Sequence, residues 1–411
     1  MNFRFAAIAL VFLLFLQLVY GFLFPSAGFS DNWQPISAYL PKFQIEDSDD
    51  LILSRIYPLI SSNYRLNSDS GHYLELARNF SPEYFNGSPF LERPLYPFLI
   101  FFTSLPFRIF SAPSYGIVFG LAILVNFILI SAGVLLFFFL LQRLFSLKTA
   151  WLSSILLIFS PFVHSYLNQP LAEMLMAFAV VAAAYLLHNY ISKPSFLKLI
   201  IFSLLIGALM LGKMFFAVSF FVLLLAVYFR RYKEGAIFFM VHLVPFLLWY
   251  LWVAKVWRLA YYSHQVKDWD MGIWVFKIFA WPWHETYQVF LGALPNFITA
   301  LFYAFLLIPV IFSVIGFRKL PFKEKNIFYF GSILSVLALG FLAKFYYLRH
   351  VFLLFPIIYP TAVLGMEKAA SYFRRSKPLR LLPCWVFYVI VIVLMSIVSN
   401  INIYQIFDYN N

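Results

Sequence analysis

The sequence has few of the residues on which common catalytic and metal-binding motifs depend. Its single cysteine, Cys384, excludes a disulfide within the chain and a cysteine-based metal site. Charged residues make up only 11% of the chain, and 17 of its 411 residues are acidic. Neither a glycine-rich phosphate-binding loop nor a His-Glu-x-x-His sequence occurs. The familiar signatures of nucleotide-binding and zinc-dependent enzymes are therefore missing.

Hydrophobic residues dominate instead, at 63% of the chain. Apolar runs of about 20 residues recur to the C-terminus, and each is long enough to cross a hydrocarbon core of roughly 30 Å. The first run, from Phe5 to Phe24, is predicted to be an uncleaved first span rather than a signal peptide, because phenylalanine and leucine continue to its end. The sequence thus predicts an all-α, multi-pass membrane protein.

One polar segment, from Pro25 to Arg93, interrupts this pattern. It holds nine of the 17 carboxylates. An unpaired carboxylate in hydrocarbon costs at least roughly 2.5 to 3.5 kcal/mol, so we expect this segment to be a loop outside the bilayer. Candidate catalytic residues are therefore to be sought first in this segment.

Residues 67–78 of this loop predict a turn followed by a short helix. Asp69 and the serines beside it are suitable N-caps, so a helix is expected from about Gly71. Its apolar residues would share a face suited to lying on the membrane surface, with Asp69 at the N-terminal edge. That face comprises Tyr73, Leu76, Ala77 and Phe80.

Five short segments occur in an order that resembles the GT-C superfamily of glycosyltransferases, which use polyprenyl-phosphate sugars and include protein O-mannosyltransferases and lipid A aminoarabinose transferases. The resemblance is strongest over residues 1–220, and it implies a bundle of about 11 to 12 transmembrane helices with a large extracytoplasmic first loop that carries short interfacial helices. The segments are Asp69, Tyr73 and Ala77 after the first span, Pro94 to Pro97, Leu171 to Glu173, Gly207 to Lys213, and Tyr347 to Val351.

The resemblance also implies a reaction, in which a sugar passes from a polyprenyl-phosphate donor to an acceptor hydroxyl with inversion at the anomeric carbon. Asp69 would be the catalytic base, because an attacking hydroxyl needs a base whereas a departing phosphate needs positive charge. The family often has two adjacent acids here, but Ser70 follows Asp69, so a second carboxylate role would fall on a more distant acid such as Glu92. The predicted substrate-binding residues are Tyr73, Glu92, Arg93, Glu173, Lys213, Lys344, Arg349 and His350.

Basic connections between the apolar runs indicate the orientation in the membrane. Residues 230–233, 318–325 and 368–380 are rich in lysine and arginine, so we place them in the cytoplasm. The N-terminus would then be cytoplasmic, while the C-terminus and the predicted site residues would lie outside.

Two alternatives remain open between residues 94 and 148. If 94–110 and 116–141 both cross the membrane, the basic connection 143–148 falls outside, against its charge. Either 94–110 is not a full crossing or this connection breaks the rule. The expected division is a first transmembrane helix (1–24), a loop with the catalytic motif (25–93), a transmembrane module (94–255), an extracytoplasmic aromatic loop (256–286) and a C-terminal transmembrane module (287–411).

Simpler roles are open for the same residues. Asp69 is suited to capping a helix, and Glu173 to stabilising the first turn of a span through the helix dipole. Glu92 and Arg93 are suited to a boundary ion pair, and lysines such as Lys213 and Lys344 to reaching the headgroups. Asp47, Asp49 and Asp50 have a spacing compatible with a divalent metal, although no cofactor is otherwise predicted.

The expected partners are the lipid-linked sugar donor, a glycan, lipid or protein acceptor, and membrane lipids. The net charge of +13 comes from the basic cytoplasmic connections, so it indicates orientation and contact with anionic lipid rather than binding of nucleic acid. Abundant Phe, Ile, Leu, Asn and Lys indicate an AT-rich microbial genome and favour a bacterial inner membrane. The competing function is a transporter or lipid-linked-sugar flippase, which commonly shows internal repeats. A polysaccharide polymerase or ligase would instead carry its large external loop late in the chain.

Overall fold

The protein is helical in the residues that the computed structural model describes. These are 3–23, 33–35, 65–109 without 87 and 89, 112–212, 230–260, 284, 295, 297, 298, 301, 304–318, 351–373, 386 and 388–394. The exception is a short antiparallel ribbon, in which Trp33–Pro35 (β1) pairs with Arg65–Asn67 (β2). The predicted helical architecture is therefore confirmed in outline.

In the described part of the chain, five helices are long and apolar enough to cross a membrane: Phe5–Leu23, Tyr115–Leu144, Glu173–Ser192, Tyr232–Val256 and Phe352–Ser371. They have the length and composition expected of a membrane protein. The predicted count of 11 to 12 spans, and the domain boundaries built on it, stay predictions.

The helices are numbered in chain order. They are α1 (Phe3–Leu23), α2 (Ser68–Arg78), α3 (Pro82–Phe85), α4 (Leu95–Arg108), α5 (Tyr115–Leu144), α6 (Leu147–Ile158), α7 (Pro161–Tyr166), α8 (Glu173–Ser192), α9 (Phe196–Met210), α10 (Tyr232–His242), α11 (Val244–Leu251), α12 (Leu307–Phe317) and α13 (Phe355–Phe373). A π-helical turn, Trp252–Val256, continues α11, and a 3₁₀ turn, Phe352–Leu354, precedes α13.

Serine side chains start several of these helices. Ser114, Ser146, Ser160 and Ser195 each accept a hydrogen bond from the backbone N–H three residues ahead. This is the usual N-cap arrangement, which satisfies a donor that has no partner within the helix. After Ser160 comes Pro161, which separates α6 from α7 because proline suits a first helical turn but not a helix interior.

Glycines allow close contact between α12 and α13. A Cβ atom on Gly316 would overlap the carbonyl oxygen of Thr361, and one on Gly365 would overlap that of Phe312. Ser313 and Thr361 also form a side-chain hydrogen bond of 2.5 Å across this contact. Small residues and interhelical hydrogen bonds are how helices associate where lipid surrounds them.

Basic residues gather at one end of the helix bundle, which we call the basic end. Lys148 Nζ at the start of α6 lies 3.2 Å from Glu367 Oε1 near the end of α13. Arg143 at the end of α5 donates to Asn189 Oδ1 near the end of α8. Arg231, just before α10, interacts with Tyr190, also near the end of α8.

The opposite end carries the described part of the 25–93 segment, and we call it the loop end. There Asn168 Nδ2 donates to the Gly21 carbonyl of α1 at 2.8 Å. The Leu95 backbone N–H donates to the Leu211 carbonyl at 3.2 Å, which joins the start of α4 to the end of α9. The bundle thus has one basic end and one end built around the loop.

Helix α4 does not run the length of the bundle. Near its start, the Tyr96 ring packs edge-on against Tyr73 of α2, with centroids 5.1 Å apart. At its end, Arg108 donates to the carbonyls of Ala77 and Arg78, also in α2. Both ends of α4 therefore lie against one short helix, and α5 alone carries the chain to the basic end. Both alternatives for the crossing of 94–110 stay predictions.

The predicted membrane-facing surface of the short loop helix is wrong. Tyr73, Leu76 and Ala77 are buried at 1%, 3% and 0% exposure, because α2 packs this face against α4 and α5. Exposed apolar side chains lie on α4 instead, where Phe98 and Phe102 are 43% and 59% exposed. The helix also begins at Ser68 rather than near Gly71.

Candidate functional site

Asp69 lies in the first turn of α2 and is partly buried. A carboxylate is favoured at this position by the positive end of the helix dipole, and Arg78 complements the other end. A stabilising role through the helix dipole and the catalytic interpretation of Asp69 both fit this placement, whereas the predicted N-cap role is wrong because α2 already begins at Ser68. Which of them holds depends on what surrounds α2.

Two arginines fix the C-terminal end of α2. Arg108 Nη2 donates to the carbonyls of Ala77 and Arg78, at 2.9 and 2.7 Å. Arg78 Nε donates to the Pro113 carbonyl at 3.2 Å, and its guanidinium lies 4.4 Å from the centre of the Tyr115 ring. Burial, and secondly the charge of Arg78, lower the pKa of Arg108 from its ordinary value. The helix that carries Asp69 is thus held by charged donors on its otherwise unsatisfied carbonyls.

The aromatic face of α2 points into the protein. The Tyr73 ring lies 4.5 Å from Phe90 and 5.1 Å from Tyr96, centroid to centroid. On the same buried face, Ser70 Oγ finds no hydrogen-bond partner among the described residues. A buried hydroxyl without a partner costs free energy, so this face suits a polar ligand or water.

A hydrogen-bonded link runs from α4 through α5 to the segment before α8. The Tyr96 hydroxyl donates to Asn126 Oδ1 at 2.9 Å, and Asn126 Nδ2 donates to the Gln169 carbonyl. Asn126 and Gln169 are 0% and 2% exposed. We did not predict either residue from the sequence, although an asparagine inside a long apolar run is a signal of function or packing.

Glu173 is fully buried in the first turn of α8. Gly212, just after the end of α9, lies beside this first turn of α8. A Cβ atom on Gly212 would lie 2.6 Å from Leu175 Cδ2. The carbonyl of Leu211, next to Gly212, accepts a hydrogen bond from the Leu95 backbone N–H. Parts of three segments that carry the GT-C resemblance therefore lie close together here: 94–97, 171–173 and, within 207–213, residues 211 and 212.

Helix α1 closes the loop end beside α7. Gln17 Nε2 lies 3.1 Å from His164 Nδ1, and the Tyr20 ring lies 5.4 Å from the His164 ring. Gln17 and His164 are 6% and 2% exposed, inside segments that are otherwise apolar. Sequence reasoning missed this pair, because partners 147 residues apart have no local signature.

Glu92 and Arg93 lie where α2 meets α4. Arg93 is 6% exposed, and Glu92 Oε1 is buried without a hydrogen-bond partner among the described residues. An ion pair with Arg93 therefore does not satisfy this oxygen. A buried carboxylate oxygen needs a donor, and a substrate hydroxyl or a water is a suitable one.

Tryptophans at the end of the α10–α11 helix complete the loop end. Trp249 Nε1 donates to the Leu91 carbonyl at 2.8 Å, and the Trp257 ring lies 5.3 Å from Phe85. Most of the predicted aromatic loop, 256–286, lies outside the described residues.

The remaining predicted site residues, Lys213, Lys344, Arg349 and His350, lie outside the described residues. The described chain resumes at Val351, which is 2% exposed, and the Phe352 ring stacks on Phe162 of α7 with centroids 3.7 Å apart. The aspartates 47, 49 and 50 are also outside. Within the part of the chain that the structure describes, no three His, Cys, Asp or Glu side chains come together as metal ligands.

Comparisons with known proteins identify no relative of this chain. No model of a protein family, no curated protein and no solved structure matches it.

Proposed function

We propose that the protein is a membrane glycosyltransferase that moves a sugar from a polyprenyl-phosphate donor to an acceptor hydroxyl, with inversion at the anomeric carbon. The observation that carries this proposal is the meeting of distant segments at the loop end. Helix α2 with Asp69, the start of α4 with Tyr96, and the start of α8 with Glu173 are joined through Asn126 and its hydrogen bonds. Polar residues inside membrane bundles mark functional sites by default.

The depth of this meeting point suits a lipid-linked substrate. The part of α5 beyond Asn126 is about 27 Å long at the usual rise per residue, and α8 is about 30 Å long. Both lengths match the hydrocarbon core of a bilayer, at roughly 30 Å. In the proposed orientation, Asn126 and Glu173 therefore lie at the membrane boundary, where a polyprenyl phosphate carries its phosphate.

Asp69 is the base in this proposal, taking the proton of the acceptor hydroxyl as its oxygen attacks C1 of the sugar. The bond from C1 to the phosphate oxygen breaks, and the free polyprenyl phosphate leaves with its negative charge. Arg93, which is buried, is a candidate to hold that phosphate. Lys213, Lys344 and Arg349, outside the described residues, are the other candidates, and His350 is proposed to contact the substrate. Tyr73, Glu92 and Glu173 are proposed to contact the sugars.

The proposed orientation places the loop end outside the cell membrane and the basic end in the cytoplasm, as the distribution of lysine and arginine favours. With 94–110 removed as a crossing, the count becomes 11 spans, with a cytoplasmic N-terminus and an external C-terminus. A bacterial inner membrane remains the proposed location.

The test is release of free polyprenyl phosphate from a panel of lipid-linked sugars by protein in detergent. An enzyme releases the carrier there, because the chemistry needs no second compartment. Arg349→Ala is expected to weaken donor use strongly, and Arg349→Lys to recover only part of it, since lysine lacks the two-pronged grip on phosphate.

A transporter or flippase is the second candidate, because it would also gather charged groups in a membrane protein. It needs two compartments and would release nothing in detergent. No release from any donor, together with movement of a lipid-linked sugar across vesicles, would replace the enzyme proposal with this one.

A further inference from the structure

Asn126 joins two sides of the loop end through the two polar groups of its side-chain amide. On one side, its Oδ1 accepts from the hydroxyl of Tyr96, at 2.9 Å. On the other, its Nδ2 donates to the carbonyl of Gln169, which also accepts from the Leu171 backbone N–H at 2.7 Å. Both groups of the amide are used, and each faces a different element.

The Tyr96 side of this link leads to Asp69. The Tyr96 ring packs edge-on against Tyr73, and Tyr73 stands one helical turn after Asp69 on α2. The position of Tyr96 therefore limits where α2 can lie against α4.

The Gln169 side leads to Glu173. Gln169 and Leu171 form a tight turn that ends one residue, Ala172, before α8 begins at Glu173. The additional hydrogen bond from Asn126 Nδ2 to the Gln169 carbonyl restrains this turn, and with it the fully buried Glu173.

We infer that Asn126 is a positioning residue, which sets the Asp69 helix and the Glu173 helix at a fixed separation. This inference rests on the proposed function for its catalytic consequence, but not for its structural one. It assigns a role to a residue of α5 that would itself touch neither substrate. A displacement of about 1 Å in such a site can reduce the rate about 100-fold.

Two isosteric variants each break one half of the link. Tyr96→Phe removes the hydroxyl donor and leaves the Gln169 bond intact. Asn126→Asp retains an acceptor for Tyr96 but replaces the donor by an oxygen that repels the Gln169 carbonyl. Asn126→Ala breaks both. Tyr190→Phe is the matched control, because it removes a hydroxyl from a buried tyrosine at the basic end.

The first measurement is a distance distribution by pulsed electron resonance. Spin labels are placed at Glu75 on the exposed side of α2 and at Lys193 after α8, in a Cys384→Ser background. We expect the distribution to broaden or shift in the three link variants and to stay unchanged in Tyr190→Phe. A distribution that Asn126→Asp and Tyr96→Phe both leave unchanged would overturn the inference, whatever reaction the protein performs.

The second measurement is steady-state transfer with the same variants. We expect Asn126→Ala to lower kcat about 100-fold and to change KM less than about threefold. The reason is that the catalytic groups are displaced from their reacting positions while the groups that bind substrate remain. A rise in KM at unchanged kcat would make Asn126 part of substrate binding and overturn the positioning role. If wild-type protein shows no transfer but the distances still move, the proposed function fails and the structural link stands.

Discussion

Replacing Arg108 by glutamine is expected to loosen α2 without unfolding the bundle. Arg108 donates to two carbonyls at the C-terminal end of α2, at 2.9 and 2.7 Å. Hydrogen bonds from a charged donor contribute roughly 1.5 to 3 kcal/mol each. Arg108 is only partly buried, so solvent compensates in part, and the loss of both bonds is expected to cost α2 about 2 to 4 kcal/mol.

Local stability of this size is measurable by amide hydrogen exchange. Because each 1.4 kcal/mol is a factor of ten, backbone amides of α2 should exchange about 30 to 700 times faster in Arg108→Gln. Exchange in α8 should stay close to wild type, because Arg108 donates its hydrogen bonds to Ser104, Ala77 and Arg78, all outside α8. Mass spectrometry of the protein in detergent resolves these segments.

Arg143→Gln is the matched control for this experiment. Arg143 also donates to a neighbouring helix and lies over an aromatic ring, that of Tyr185 at 5.1 Å, but it does so at the basic end. Its loss should leave α2 exchange unchanged. Unaltered exchange of α2 in Arg108→Gln, or an equal increase in both variants, would refute the reasoning.

Two further predictions concern packing and orientation. Gly316→Ala should lower the thermal unfolding temperature in detergent, because its Cβ would overlap a backbone carbonyl of α13 and overpacking costs typically 1 to 3 kcal/mol. Gly120→Ala, where nothing lies within 4 Å of the new Cβ, should leave the unfolding temperature unchanged, and equal shifts would contradict the packing argument. In a Cys384→Ser background, Glu75→Cys should react with an impermeant thiol reagent added to intact cells, whereas Lys193→Cys should not. Labelling of Lys193→Cys alone would invert the proposed orientation.

The sequence was sufficient for features that depend on local composition. Apolar runs of the right length predicted the long helices. The polar residues before Gly71 predicted a short helix there, although this helix begins at Ser68 and includes them. The order of the short segments also led to residues at the same end of the bundle, such as Tyr96 and Glu173, which the hydrogen bonds of Asn126 connect indirectly.

Features set by distant partners were not predictable in this way. The apolar face of α2 was predicted to face lipid, because periodicity shows that a face is apolar but not what covers it. Asn126 and the Gln17–His164 pair were missed for the same reason, since their partners lie far away in the sequence. Both ends of the proline-rich stretch 94–110 contact α2, an arrangement that no local pattern of the sequence predicted.

Release of polyprenyl phosphate by Asp69→Asn tests the central claim most directly. Asparagine retains the shape of the aspartate side chain but is not a base. Loss of the Asp69 charge from the first turn of α2 costs only about 0.3 to 1 kcal/mol of stability. Glu75→Gln makes the same change on the exposed side of the same helix. We predict that Asp69→Asn slows release roughly 100-fold to 10,000-fold while Glu75→Gln stays near wild type. Release by Asp69→Asn at the wild-type rate would contradict the account.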